Sequence, residues 1–129
     1  MSAEPELVLV VDDEPLVCTM LGDAIRMFGY NVTAASGGAE ALRLVSAVAP
    51  ALALLDLRMP GMPGMEVLKR LRAGYPRLPV VIVSGEPDDE VKRQALEAGA
   101  FDYVAKPFSI AHLKIVVKAA ILSAGRNRD

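Results

Sequence analysis

Unbroken aliphatic runs at 7–11, 51–55 and 80–83 carry no alternation of apolar and polar positions. That pattern predicts parallel strands covered on both faces. Weaker segments at 30–34 and 101–105 predict two more strands. Five stretches of helical periodicity follow the strands in turn, at about 14–28, 38–48, 64–73, 88–98 and 109–123. In the last of these, Ile110, Leu113, Val117, Ala120 and Ile121 fall on one face and predict its core stripe. Gly29, Gly74 and Gly99 punctuate the first, third and fourth helices near their ends. Ser109 is placed to cap the fifth helix, and Asp88, Asp89 and Glu90 put acid in the first turn of the fourth. Five strand–helix units in succession predict an α/β domain with helices on both faces of a parallel sheet. The right-handed crossover rule favours a flavodoxin-like, doubly wound, five-stranded sheet of order 2-1-3-4-5.

The length of 129 residues fits one domain, 1–129, with a core over about 6–124. Hydrophobic residues make up 53% and aromatics 5%, with no tryptophan, so the core must be aliphatic. Lys and Arg number 14 against 16 Asp and Glu, which offers no basic excess to hold nucleic acid. One cysteine, Cys18, excludes an internal disulfide and a thiolate cluster, and is expected to be a small packing residue. The first six residues carry acid where a signal peptide carries base, and no apolar run approaches the ~18 residues of a membrane span. A cytoplasmic protein with no membrane contact is expected.

In an open α/β sheet, ligands sit outside the carboxyl ends of the strands. The first strand ends at Asp12 and Asp13, the third at Asp56, the fourth at Ser84 and the fifth at Lys106. The second ends in nothing chemical. In the predicted order, the first, third, fourth and fifth strands are neighbours, so these residues converge on one edge. Three close carboxylates repel one another and recruit a hard cation such as Mg²⁺. A bound divalent ion then admits a phosphoryl dianion to an acidic site. Lys106 supplies a compact positive charge, Ser84 a hydroxyl donor and Asp56 a carboxylate nucleophile. No Gly-rich loop with a lysine is present, which excludes a P-loop nucleotide site.

Four stretches carry a family resemblance. They are Val10-Val11-Asp12-Asp13-Glu14-Pro15; Leu55-Asp56-Leu57-Arg58-Met59-Pro60-Gly61-Met62-Pro63-Gly64; Val83-Ser84-Gly85; and Gly99-Ala100-Phe101-Asp102-Tyr103-Val104-Ala105-Lys106-Pro107-Phe108. In this order and spacing they resemble the receiver domain of two-component response regulators, of the chemotaxis-regulator type, over nearly the whole chain. The resemblance implies that Asp56 accepts a phosphoryl group from a histidine kinase or phosphotransfer protein. It implies that Asp12, Asp13, Asp56 and the main-chain carbonyl of Arg58 hold Mg²⁺, and that Ser84 and Lys106 bind the phosphoryl oxygens. It further implies a cis Lys106–Pro107 bond and an aromatic switch at Tyr103, which turns inward as Ser84 moves toward the phosphate. Serine stands at Ser84 where threonine is commoner in the family, and Gly85 leaves room beside it. Arg58 and Glu86 occupy the two positions that tune dephosphorylation, Arg58 either blocking the hydrolytic water or holding it through Glu86.

Other residues have plainer expectations. His112 is expected to be solvated, and Met59, Met62 and Met65 to pack the loop after Asp56. Glu40, Arg43, Glu66, Lys69 and Arg70 read as solvated helix faces. Ala111, Ile115 and Leu122 form a second apolar patch on the fifth helix. Receiver domains pair through the fourth helix, fifth strand and fifth helix, so phosphorylation-linked dimerisation is expected there. The chain is expected to act alone by protein contact or as part of a longer regulator with an output domain. Two competing readings stand beside this one. A haloacid-dehalogenase-type phosphohydrolase also uses an aspartate nucleophile with Mg²⁺, but carries an acid–base aspartate two residues later, where this chain has Arg58. A receiver acting as a fixed scaffold typically lacks the acceptor or the lysine, and here Asp56 and Lys106 are both present.

Overall fold

The apolar runs pair side by side into one parallel sheet of order β2-β1-β3-β4-β5, as the crossover argument predicts. The computed structural model describes residues 5–85 and 88–126. The strands are β1 (Leu7–Val11), β2 (Asn31–Ala35), β3 (Leu52–Leu55), β4 (Val80–Ser84) and β5 (Asp102–Ala105). The helices are α1 (Pro15–Met27), α2 (Gly38–Val48), α3 (Gly64–Gly74), α4 (Asp89–Glu97) and α5 (Ile110–Arg126). Each element lies within a few residues of its expected bounds.

The absence of alternation in β1, β3 and β4 has a direct cause: helices cover both faces of the sheet. Leu9 and Val11 point with Ala53, Leu55, Val80 and Ile82 into a layer closed by Ala41 and Val45 of α2, Val67, Leu68 and Leu71 of α3, and Ala95 of α4. Val8 and Val10 point the other way, with Leu52, Leu54, Val81 and Val83, against α1 and α5. The edge strand β2 has only one fully buried residue, Ala35, which explains its weaker apolar signal.

Helix ends follow the capping chemistry of the sequence. The Asp88 carboxylate accepts from Glu90 N at 2.8 Å and caps α4; the Ser109 hydroxyl accepts from His112 N at 3.2 Å and caps α5. Gly29 (φ 101°) and Gly99 (φ 107°) follow α1 and α4 in the left-handed region that glycine adopts without a Cβ penalty.

One expectation about α5 is corrected. Ile110 is 46% exposed, and Val116 takes a buried place instead. The stripe that meets the sheet is Leu113, Val116, Val117 and Ala120. Ile110 opens the helix beyond the edge of the sheet, where it lines a groove with Phe108 and Val17. The two positions should therefore respond differently to truncation. Leu54→Ala in central β3 is expected to lower unfolding free energy by about 2–5 kcal/mol. Ile110→Ser should stay within about 0.5 kcal/mol of the parent. Urea unfolding measures both, and similar losses would contradict this placement.

Candidate functional site

Three strands extend their hydrogen-bond ladders by one step at the carboxyl edge. Asp12 N donates to Ala35 O at 3.1 Å, Asp56 N to Val11 O at 3.0 Å, and Lys106 N to Ser84 O at 2.9 Å. Each of these residues is thus the first beyond its strand, with its backbone still fixed by the sheet. The sequence expectation that Asp12, Asp13, Asp56, Ser84 and Lys106 share one edge agrees with this arrangement.

One carboxylate oxygen from each of Asp12, Asp13 and Asp56 lies within 4.8 Å of the others. Asp12 and Asp56 are buried, and Asp13 is more open to solvent. Asp12 Oδ1 accepts from Glu14 N at 2.9 Å, and Asp56 Oδ1 accepts from Arg58 N at 3.2 Å. Their other oxygens face Lys106, whose Nζ is 2.7 Å from Asp12 Oδ2 and 3.5 Å from Asp56 Oδ2. Burial is the largest single influence on this ammonium and pulls its pKa down. The hydrogen bond to Asp12 and the charges of Asp56, Asp12 and Glu14 together outweigh burial and hold it above the ordinary lysine value.

Ser84 closes β4 at zero exposure, and its hydroxyl has no hydrogen-bond partner among the described residues. A buried unpaired hydroxyl is unfavourable by about 1–3 kcal/mol, so its presence calls for a ligand or a functional reason. By strand alternation Ser84 shares its face with Ile82, and Tyr103 packs into that same layer at 8% exposure. The aromatic ring is therefore already inward. The Lys106–Pro107 bond is cis, as the resemblance implies. Arg58 presents an exposed side chain at the rim, with its backbone tied to Asp56. Glu86 lies outside the described residues.

Some supporting contacts were not legible in the sequence. Cys18 Sγ donates to the Asp12 carbonyl at 3.2 Å. Burial, followed by the charge of Asp12, raises its pKa, so the thiol stays protonated near neutrality. A Cβ built on Gly64 would stand 2.4 Å from both Asp56 O and Leu57 Cα. Only glycine lets α3 start this close beneath the candidate acceptor. Met59, Met62 and Met65 pack against the core as expected, and His112 is solvated. Glu40, expected to be a solvated face residue, is instead half-buried and accepts from Ser36 N at 2.7 Å.

Two consequences follow from this geometry. Gly64→Ala meets main-chain atoms that have no rotamer to move, so it should destabilise the domain by about 1–3 kcal/mol or more. Chemical denaturation measures this, and a neutral result would refute the contact. Lys106 has a folded-state pKa above its unfolded value of about 10.4. Its stabilising contribution is complete below that pH and is lost as pH rises through the higher folded value. The stability difference between the parent and Lys106→Met should accordingly be flat from about pH 6 to about pH 10 and shrink above it. Denaturation across that range, with both proteins in parallel, would detect a constant difference if the pairing were absent.

The chain matches the family model of the response regulator receiver domain over residues 8–118. It is 38% identical over 122 residues to the probable transcriptional regulatory protein TcrX of Mycobacterium tuberculosis, covering 95% of this chain and 52% of that protein. It is 44% identical over 115 residues to the transcriptional regulatory protein KdpE of the same species, covering 89% and 50%. The chain thus spans about half the length of these curated relatives. Among solved structures, the CheY-like receiver domain protein of Methanospirillum hungatei superposes with a TM-score of 0.90 at 26% identity, covering 95% of this chain and 98% of that one. With the parallel five-stranded sheet and its acidic edge already established, the chain belongs to the response regulator receiver domains of two-component systems.

Proposed function

We propose that this chain is a Mg²⁺-dependent phosphoacceptor switch in which Asp56 receives a phosphoryl group from the phosphohistidine of a kinase or phosphotransfer protein. The observation that carries the reading is a buried Ser84 hydroxyl, without a partner among the described residues, at the same carboxylate-crowded edge as the Lys106 ammonium. An Asp56 oxygen attacks phosphorus, the P–N bond to the donor histidine breaks, and the histidine keeps that bond's electron pair. Lys106 and Ser84 hold the oxygens of the transferred group, so the chain contributes position and charge rather than an acid–base residue. Asp12, Asp13, Asp56 and the Arg58 carbonyl would hold Mg²⁺, for which hard oxygen donors at this spacing are suited. When bound, the ion neutralises charge on the phosphoryl oxygens.

Transfer places three acceptor oxygens and about two negative charges where Lys106 and Ser84 can reach them. Ser84 is drawn toward the phosphate, and Tyr103, on the same face, holds the space that this movement opens. The readout surface in this reading is α4, β5 and α5. Ile115 (68% exposed), Leu122 (62%) and Ala111 offer an apolar strip on α5 for a second copy of the chain. A groove of about 670 Å³ beside Lys106, lined by Met20, Met27, Phe108 and Ile110, gives the phosphoryl donor an apolar surface next to the site. Family membership sets the phosphohydrolase alternative aside. A role in transcriptional regulation, the function stated in the names of TcrX and KdpE, and a cytoplasmic setting belong to the same proposal; no helix among the described residues is long and apolar enough to cross a membrane.

Incubation with Mg²⁺ and acetyl phosphate should add one phosphoryl group to the parent and none to Asp56→Asn, read by intact mass. Sedimentation of the phosphorylated sample should show association that Ile115→Ser reduces. An adduct on Asp56→Asn would reject the acceptor assignment, and a monomer at high concentration would reject the pairing.

A further inference from the structure

The peptide unit joining Ala35 to Ser36 is gripped at both ends. Its carbonyl accepts from Asp12 N at 3.1 Å, and its N–H donates to Glu40 Oε1 at 2.7 Å. We propose that Glu40 is a positioning residue for the metal-binding carboxylate Asp12, acting through this single peptide plane. The proposal rests on the reading that Asp12 ligates Mg²⁺.

The 2.7 Å bond is of the charge-assisted kind, about twice as strong as a neutral one. A carboxylate that pulls on the Ser36 N–H polarises the amide and makes the Ala35 carbonyl a better acceptor for the Asp12 N–H. It also fixes the orientation of the plane, which otherwise sits at the end of edge strand β2, where the ladder runs out. The Ser36 hydroxyl contacts the same Glu40 oxygen at 3.3 Å, so the acid is held from two directions. Asp12 needs this support at its backbone because its side chain is already committed. Oδ1 accepts from Glu14 N, and Oδ2 pairs with Lys106.

A plainer role also exists. Glu40 sits at the third position of α2, whose N-cap is Gly37, and resembles the acid of a capping box displaced by one residue. A cap alone would affect the stability of α2 and leave the metal site unchanged, which makes the two roles separable.

The test is calorimetric Mg²⁺ titration of the parent, Glu40→Ala and Glu40→Gln, with thermal unfolding and amide exchange at Asp12 on the same samples. Groups touching a metal ligand directly alter affinity by about 10–100-fold; one peptide further out, Glu40→Ala should weaken Mg²⁺ binding by about three- to tenfold. It should also speed exchange of the Asp12 amide. Glu40→Gln keeps an oxygen acceptor but loses the charge assistance, and should recover part of the affinity. A lower melting temperature for Glu40→Ala with Mg²⁺ affinity and Asp12 exchange unchanged would overturn the proposal and leave a helix cap. Equal weakening by both variants would overturn it in favour of bulk charge. Failure of the parent to bind Mg²⁺ would remove the metal-site reading itself, and the relay with it.

Discussion

Like charges crowded at the end of a buried sheet set the terms for the rest of this molecule. Repulsion between two unit charges about 4 Å apart is on the order of 4 kcal/mol at an effective dielectric of about 20. Asp12, Asp13 and Asp56 offer oxygens within 4.8 Å of one another, so three such repulsions arise when all are ionised. Among the described residues, Lys106 pairs with two of them, Asp12 and Asp56. One ammonium does not balance three carboxylates. The edge is left short of positive charge, and a small divalent cation with hard-oxygen preference is the natural complement. The same shortage explains why Lys106 remains protonated despite burial, which on its own would favour the neutral amine.

Crowding of this kind persists only on a rigid frame. The frame is the parallel ladder, which holds Asp12, Asp56 and Lys106 by a backbone bond one residue past their strands. Their side chains are therefore placed by the sheet rather than by loops, and relaxation that would separate the charges is denied. Gly64 tightens the same constraint from below, because its missing Cβ lets α3 begin against the Asp56 carbonyl. Stability spent in the apolar layers on both faces of the sheet offsets strain at its edge, a division common at functional sites.

The parts of this architecture that were legible in the sequence share one property: their signal is local and repeated. Residues 7–11 and 80–83 declare buried strands by unbroken apolar runs, and the order of strands follows from chirality. Asp12, Asp56 and Ser84 are legible because each follows such a run immediately, and Lys106 because it follows the weaker segment at 101–105. Ile110 was misplaced because periodicity counts positions along a helix but does not say where the helix clears the sheet; Val116 was missed for the same reason. Glu40 reads as an ordinary surface acid, since its partner is a main-chain N–H and carries no sequence signal. The Cys18 bond to the Asp12 carbonyl and the packing of Gly64 are equally silent, being contacts with backbone atoms.

The least stable feature of the site points to how such an edge can act as a switch. Ser84 Oγ is buried without a partner among the described residues, while Tyr103 occupies the same layer. An unsatisfied hydroxyl gives the resting packing a local penalty that a newly arrived acceptor can remove. A ligand shifts a conformational equilibrium only by its differential affinity for the two states. Under the proposed function that difference has a source, since a phosphoryl oxygen would satisfy a Ser84 hydroxyl that has no partner among the described residues. The α4 helix is the element best able to follow, because Ala95 is its one fully buried residue and its Arg93 pairs with Glu90 and Glu97 lie on the exposed surface. Exposed pairs of that kind contribute only about 0.3–0.5 kcal/mol each. Under the proposed function, a local gain of about one hydrogen bond, roughly 1 kcal/mol, would shift the ratio of two packings around α4 by about fivefold.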